Sequence, residues 1–260
     1  MNRYERVVDY YAKRAENYDR EKSRTWKSET GFRKDLLDEI VKNCKKTQGS
    51  IIELGVGTGR VASVLIQQLG RTVVGVDISS DMLRIAKKKA KQDGYSDKLI
   101  LVEGSMEKLP FDDGTFGCGL VISAFHYITR EEEAISEFRR VLKVGARFII
   151  GDLIVDERDS TGFFNRLERA ASPAHHLYHA LKERESLFKK GGFRHVSDRI
   201  FSYEKKLDDI VEDKAAYFSE KQVQKFMKVA ESAPEDIKRI YNMDPEKMTL
   251  YYAVSVFGVT

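Results

Sequence analysis

The chain of 260 residues lacks most of the features that would assign it to a class at once. Cysteine is nearly absent. Cys44 and Cys118 stand far apart, too few for the disulfide framework of a small secreted domain, so free thiols in a reducing compartment are expected. No apolar run approaches the ~18 residues a membrane span needs. The opening MNRYERVVDYYAKRAENYDR has no apolar stretch of the signal-peptide kind. The expectation is a cytoplasmic protein with no membrane span. The net charge is only +4. Its basic runs, RIAKKKAKQDG and KKTQG, read as solvated helix faces, which argues against a nucleic-acid partner. There are four prolines, no low-complexity tract, no internal repeat and no clean linker, so one domain is expected.

What is present is alternation. Tyr4, Val7, Val8, Tyr11, Ala15 and Tyr18 fall on one face of an N-terminal helix, and residues 32–45 read as a second. Short apolar runs then alternate with amphipathic segments: strands at 50–54, 72–77, 98–103, 117–122 and 146–155, with helices between them. The helix REEEAISEFRRVLK is expected to turn Ile135, Phe138 and Leu142 inward. Such alternation predicts an α/β fold with a parallel sheet covered on both faces. Strands at 193–203 and 250–259 bring the count to about seven. Helical stretches around 158–190 and 205–245 read as insertions that cap the sheet. The expected division is N-terminal helices at 1–45, a core at 46–155, cap insertions at 156–192 and 204–248, and final strands at 193–203 and 249–260.

One stretch, IIELGVGTGRVASVL at 51–65, sets the chemistry. Gly55, Gly57 and Gly59 sit between a strand and a helix, where backbone must turn sharply and a ligand can approach closely. Asp77 ends the next strand, and a carboxylate there can accept hydrogen bonds from both hydroxyls of a ribose. The dinucleotide spacing is G-x-G-x-x-G; here it is G-x-G-x-G, preceded by Glu53. An acid at that place repels a pyrophosphate and favours a cationic ligand. S-adenosylmethionine has a ribose, no phosphate, an ammonium and a sulfonium.

At these residues the chain resembles the class I S-adenosylmethionine-dependent methyltransferases. IIELGVGTGR, VVGVDISSDML, LVEGSMEKLPF and VLKVGARFII follow the family's motifs in order over 50–155. YYAKRAENYD resembles the entry helix of the small-molecule branch that contains the ubiquinone and menaquinone methyltransferases. The resemblance implies a doubly wound, mostly parallel sheet whose last strand is antiparallel. It also implies S-adenosylmethionine as cofactor, S-adenosylhomocysteine as product, and roles for single residues. Glu53 and Gly55–Gly59 would hold the methionine end, and Asp77 the ribose. Ile78 and Met82 would pack on the adenine, and the Met106 amide would read its edge. Ser105 stands where the family has an acid, with Glu107 as a substitute. Gly117 stands where the family commonly has another. The backbone of Val121 and Ile122 would meet the ammonium, and Tyr18 would close over the cofactor.

Methyl transfer from a sulfonium needs alignment, and a base where the acceptor carries a proton. No metal is called for. His126, just past the fourth strand in SAFHYI, is the first candidate base, with Tyr127 beside it. In SPAHHLYHA, the segment from Pro173 to His175 resembles a loop over the family's acceptor site, which makes His175 the second. His175 and His179 would share a helix face, yet the further zinc ligands are missing. Phe163, Phe164, Tyr178, Tyr217, Phe218 and Phe226 offer core or an apolar pocket, which would suit an aromatic or prenylated small-molecule acceptor. Two alternatives stand beside this reading. An RNA methyltransferase lacks support, because ISAFHY replaces the Asn/Asp-Pro-Pro-Tyr motif. A non-catalytic cofactor-binding protein draws support only from Ser105 and Gly117. Nothing in the sequence sets the oligomeric state.

Overall fold

Continuous apolar runs, rather than alternating ones, mark strands covered on both faces, and the chain uses them in that way. The computed structural model describes residues 3–12, 15, 18, 32–172, 174–215 and 219–260. Five parallel strands form the core: β1 (Ile51–Leu54), β2 (Val73–Asp77), β3 (Leu99–Glu103), β4 (Phe116–Ile122) and β5 (Leu142–Leu153). β6 (Phe193–Lys206) and β7 (Lys247–Val259) complete a seven-stranded sheet of order β3-β2-β1-β4-β5-β7-β6. β7 runs antiparallel to both β5 and β6. Strand order reverses between β1 and β4, so the carboxyl ends of those two strands flank the switch point where such sheets bind ligands.

Helices α1 (Arg3–Ala12), α2 (Phe32–Cys44), α3 (Arg60–Leu69), α4 (Ser80–Gln92) and α5 (Glu131–Val141) precede or cross over these strands. Local chemistry sets their ends. Ser79 caps α4 by accepting from the Met82 amide at 3.3 Å, and Gly70 ends α3 in the left-handed conformation with its N–H on the Ile66 carbonyl. Leu142 is buried as expected, but it opens β5 rather than closing α5, pairing with Phe116.

Each sheet face has its own apolar cluster. One joins Leu36, Ile40 and Cys44 of α2 to Leu65 of α3 and to the strands. The other stacks Phe138 on Phe148 at 4.9 Å, with Phe188 beyond. Full burial of each such ring contributes about 2–3 kcal/mol. Cys44 and Cys118 are buried free thiols with sulfurs 3.6 Å apart.

A third cluster belongs to the cap. It is built by α6 (Phe163–Ala171), α8 (Leu207–Ala215), α9 (Glu220–Glu231) and α10 (Glu235–Ile240), whose Phe163, Phe164 and Phe226 are all buried. α7 (Leu181–Lys190) crosses to β6. Residues 174–180 are not helical, so His175 and His179 do not share a helix face. Pro173, Tyr217 and Phe218 lie outside the described residues. Among the described residues no helix is long and apolar enough to cross a membrane.

Candidate functional site

The carboxyl ends of β1, β2, β4 and β5 open into one cavity of about 350 Å³. At one end lies the loop after β1. Gly55, Gly57 and Gly59 have φ of +69°, +54° and +77°, backbone that an L side chain rarely adopts. The turn brings the Gly57 amide onto Asp77 Oδ2 at 2.8 Å, while the Ser79 amide reaches Oδ1 at 2.9 Å. Asp77 is thus fixed by one backbone donor on each oxygen. Burial raises its pKa, and the two amides oppose that rise. A Cβ on Gly57 would meet nothing within 4 Å, so this side of the loop is open.

Glu53 is the sharper feature. It stands next to the end of β1, only 3% exposed, and its Oε2 has no hydrogen-bond partner among the described residues. Burial pushes its carboxyl up to about 8, and neighbouring Asp77 adds to that, against the Ala62 amide and the charge of Arg60. A buried carboxylate oxygen left without a donor is costly. A cationic ligand in the cavity would supply that partner, and the ammonium end of S-adenosylmethionine fits this chemistry. The Arg60 guanidinium stands 4.8 Å from the centre of the Tyr18 ring, and both line the cavity.

Ile78, Met82, Ser105 and Met106 line the wall beside Asp77. Ser105 Oγ accepts the Glu107 amide at 3.1 Å. The Glu107 carboxylate is held by Arg130 at 2.7 and 2.9 Å, so it ties the loop after β3 to the loop after β4. Val121 does not line the cavity; its side chain belongs to the core, and Ile122, Ser123 and Ala124 form the wall instead. Ser123 has φ +53° and its hydroxyl pairs with that of Tyr252 at 3.0 Å. Such backbone in a non-glycine residue costs about 1–3 kcal/mol and clusters at functional sites. Gly117 lies at the opposite end of β4 from Ile122. A Cβ there would sit 1.7 Å from the Gln48 carbonyl oxygen, so packing excludes the family's acid at this place.

The other end of the cavity carries the histidines. His126 sits in a short 3₁₀ turn, Phe125–Tyr127, after β4. Its Nδ1 donates to Asp152 at 2.9 Å, and Asp152, at the end of β5, is itself buried. This leaves Nε2 as the lone-pair nitrogen of the neutral ring. His175 is buried and lines the same cavity. Asn165 Oδ1 accepts the Tyr178 amide at 2.8 Å while its Nδ2 donates to the Tyr178 carbonyl at 2.9 Å. That fixes the amide's orientation, so His175 Nε2, 2.9 Å from Oδ1, must be a donor. His179 instead donates to Glu131 at 2.8 Å. Among the described residues no group of three His, Cys, Asp or Glu could hold a metal ion.

Several residues here escape a reading by motif. Asp152 had one signal, a lone acid in the apolar run ARFIIGDLIV. Phe32 and Arg33 of α2, Tyr203 of β6 and Tyr252 of β7 had none, because they reach the cavity from segments far apart in the chain. Phe32 stacks on Tyr203 with ring centres 4.6 Å apart. Of the cap aromatics named from the sequence and described here, only Tyr178 lines the cavity.

Comparison with known proteins agrees with this architecture. The methyltransferase domain family matches residues 52–150. An uncharacterized methyltransferase of Geobacillus sp. strain WCH70 is 29% identical over 201 residues, 73% of this chain and 87% of that one. The ubiquinone/menaquinone biosynthesis C-methyltransferase UbiE of Brucella anthropi is 31% identical over 118 residues, 45% of each protein. Among solved structures, the YcgJ protein of Bacillus subtilis superposes with a TM-score of 0.79 at 20% identity, over 87% of this chain and 98% of that one. From the glycine loop through β5, then, the chain belongs to the class I S-adenosylmethionine-dependent methyltransferases.

Proposed function

We propose that the protein methylates an apolar or aromatic small molecule, with His126 as the group that takes the acceptor's proton. Glu53 and the loop Gly55–Gly59 would hold the amino-acid end of S-adenosylmethionine, Asp77 its ribose, and Ile78, Met82 and the Met106 amide its adenine. When bound, the cofactor supplies a methyl group already activated by its sulfonium. The protein's part is to align the acceptor and to receive a proton. Asp152 holds the His126 ring by Nδ1, directs Nε2 as the proton acceptor and stabilises the imidazolium that forms. His175, with its Nε2–H committed to Asn165, serves as a wall beside it; any proton it takes goes to Nδ1.

The observation that carries this reading is the His126–Asp152 pair at 2.9 Å in the same cavity as Glu53. The Brucella anthropi relative is named for ubiquinone/menaquinone biosynthesis, and quinones are planar rings, which supports an aromatic acceptor here. The test is turnover of S-adenosylmethionine with an acceptor panel, run beside calorimetric titration with S-adenosylhomocysteine. His126→Asn should keep the titration and lose the turnover. Turnover at the wild-type rate in that variant would remove His126 from the chemistry.

A further inference from the structure

The loop between α6 and α7 holds a second buried polar atom without a partner. Ser172 ends α6 with its amide on the Glu168 carbonyl at 2.7 Å. It is 6% exposed, lines the cavity, and its Oγ makes no hydrogen bond among the described residues. A hydroxyl buried in this way costs about 1–3 kcal/mol unless a ligand completes it. Glu53 shows the same pattern at the cofactor end. Nothing in the proposed cofactor contacts uses Ser172, so its missing partner belongs to the other ligand.

The surroundings define what that ligand offers. The loop is pinned to the 3₁₀ turn, with the His176 and Leu177 amides both on the His126 carbonyl at 2.8 and 3.3 Å. The rings of His126, His175 and Tyr178 lie within 4.4–5.5 Å of one another, a surface that receives a planar group. His126 Nε2 presents a lone pair, and Ser172 presents an O–H. A hydroxyl satisfies both, because it donates to the one and accepts from the other. An ether has no proton for His126.

We propose that Ser172 and His126 together form the binding site for a hydroxyl on an aromatic acceptor. This rests on the reading of His126 as proton acceptor. Ser172 touches the acceptor, not the cofactor.

The experiment uses the full chain saturated with S-adenosylhomocysteine, titrated calorimetrically with naphthol, methoxynaphthalene and naphthalene. Naphthol should bind about 10-fold more tightly than either analogue, the effect of a site hydrogen bond. Ser172→Ala should weaken naphthol about fivefold and leave naphthalene unchanged, since the bond from the hydroxyl to His126 remains. It should leave S-adenosylhomocysteine affinity unchanged, and the melting temperature of the free protein equal or higher, since the variant removes an unsatisfied hydroxyl. Equal affinity for all three probes, no binding of any of them, or naphthol affinity unchanged in Ser172→Ala each overturns the proposal. Retained S-adenosylhomocysteine binding in those cases locates the failure in the acceptor site. Loss of that binding in the wild type would overturn the cofactor reading, and this proposal with it.

Discussion

The two ends of the cavity are built by different means. At the glycine-loop end the backbone does most of the work: amides of Gly57 and Ser79 fix Asp77, beside one buried acid, Glu53, with an unpartnered oxygen among the described residues. At the histidine end side chains do it, and they arrive from β4, β5, α6, the loop after it, β6 and β7. A backbone site needs particular residues at fixed spacing, because only some residues allow the turn. A side-chain site needs only that the right groups meet in space. The first is therefore written in one short run of sequence, and the second is scattered.

The strongest way to test this division is to disable each end alone. His126→Asn and Asp152→Asn should each lower kcat by roughly 10²–10⁴, the range of a lost proton acceptor, with S-adenosylhomocysteine affinity changed by less than about twofold. Single-turnover rates beside calorimetry would show it. If affinity falls as well, the two ends are one coupled unit and the contrast fails.

Glu53→Gln should do the reverse. Cofactor affinity should fall by roughly 100-fold, the upper end of what a hydrogen bond to a charged group contributes, about 3 kcal/mol. The free protein should become more stable. The Glu53 carboxyl titrates at about 8 when folded against ~4.3 in a free chain. The folded state therefore binds the extra proton between those values. Its stability is greatest below the lower value and declines as pH rises to about 8, by on the order of several kcal/mol. Glu53→Gln should flatten that decline in thermal melts. Cofactor binding should also release a proton near neutral pH, seen as a calorimetric heat that varies with buffer ionisation enthalpy.

How much could be read without coordinates follows the same division. The glycines, Glu53 and Asp77 announced themselves because each stands at or beside the end of a strand, where its residue type is unexpected. The sheet was legible because buried strands are apolar throughout. Asp152 was visible in principle, as an acid inside ARFIIGDLIV, but its partner is 26 residues upstream. The spacing of His175 and His179 fits a helix face, but residues 174–180 are not helical. Their backbone instead bonds to His126 across the cavity mouth. Tyr203 and Tyr252 looked like ordinary strand aromatics, and only the antiparallel register of β6 and β7 brings them to the site.

Gly57 and Gly117 separate ligand space from packing. A Cβ at Gly117 would meet the Gln48 carbonyl, whereas one at Gly57 would meet nothing. Gly117→Asp should destabilise the fold by about 2–3 kcal/mol in urea melts, through overpacking, without tightening cofactor binding. Gly57→Ala should lower stability by only about 1 kcal/mol, from its positive φ, yet weaken the cofactor clearly. Were Gly117→Asp to fold normally and bind more tightly, the missing acid would be a real defect of the site.

The smallest effect is expected at Ser105. An aspartate there could still accept the Glu107 amide, as Ser105 does at 3.1 Å, and offer a second oxygen to the adenine amino group. That contact favours binding. The new charge would stand in a wall that already holds Asp77 and Glu53, both raised by burial. Like charges in such a place disfavour one another's ionised forms. The two terms oppose, so Ser105→Asp should change S-adenosylhomocysteine affinity by less than about fivefold, near 1 kcal/mol. A gain beyond tenfold in calorimetry would mean that the loop after β3 is a weakened part of the glycine-loop end. A loss would mean that repulsion among the carboxylates governs it, and that the serine is the better residue for a site already holding Glu53 and Asp77.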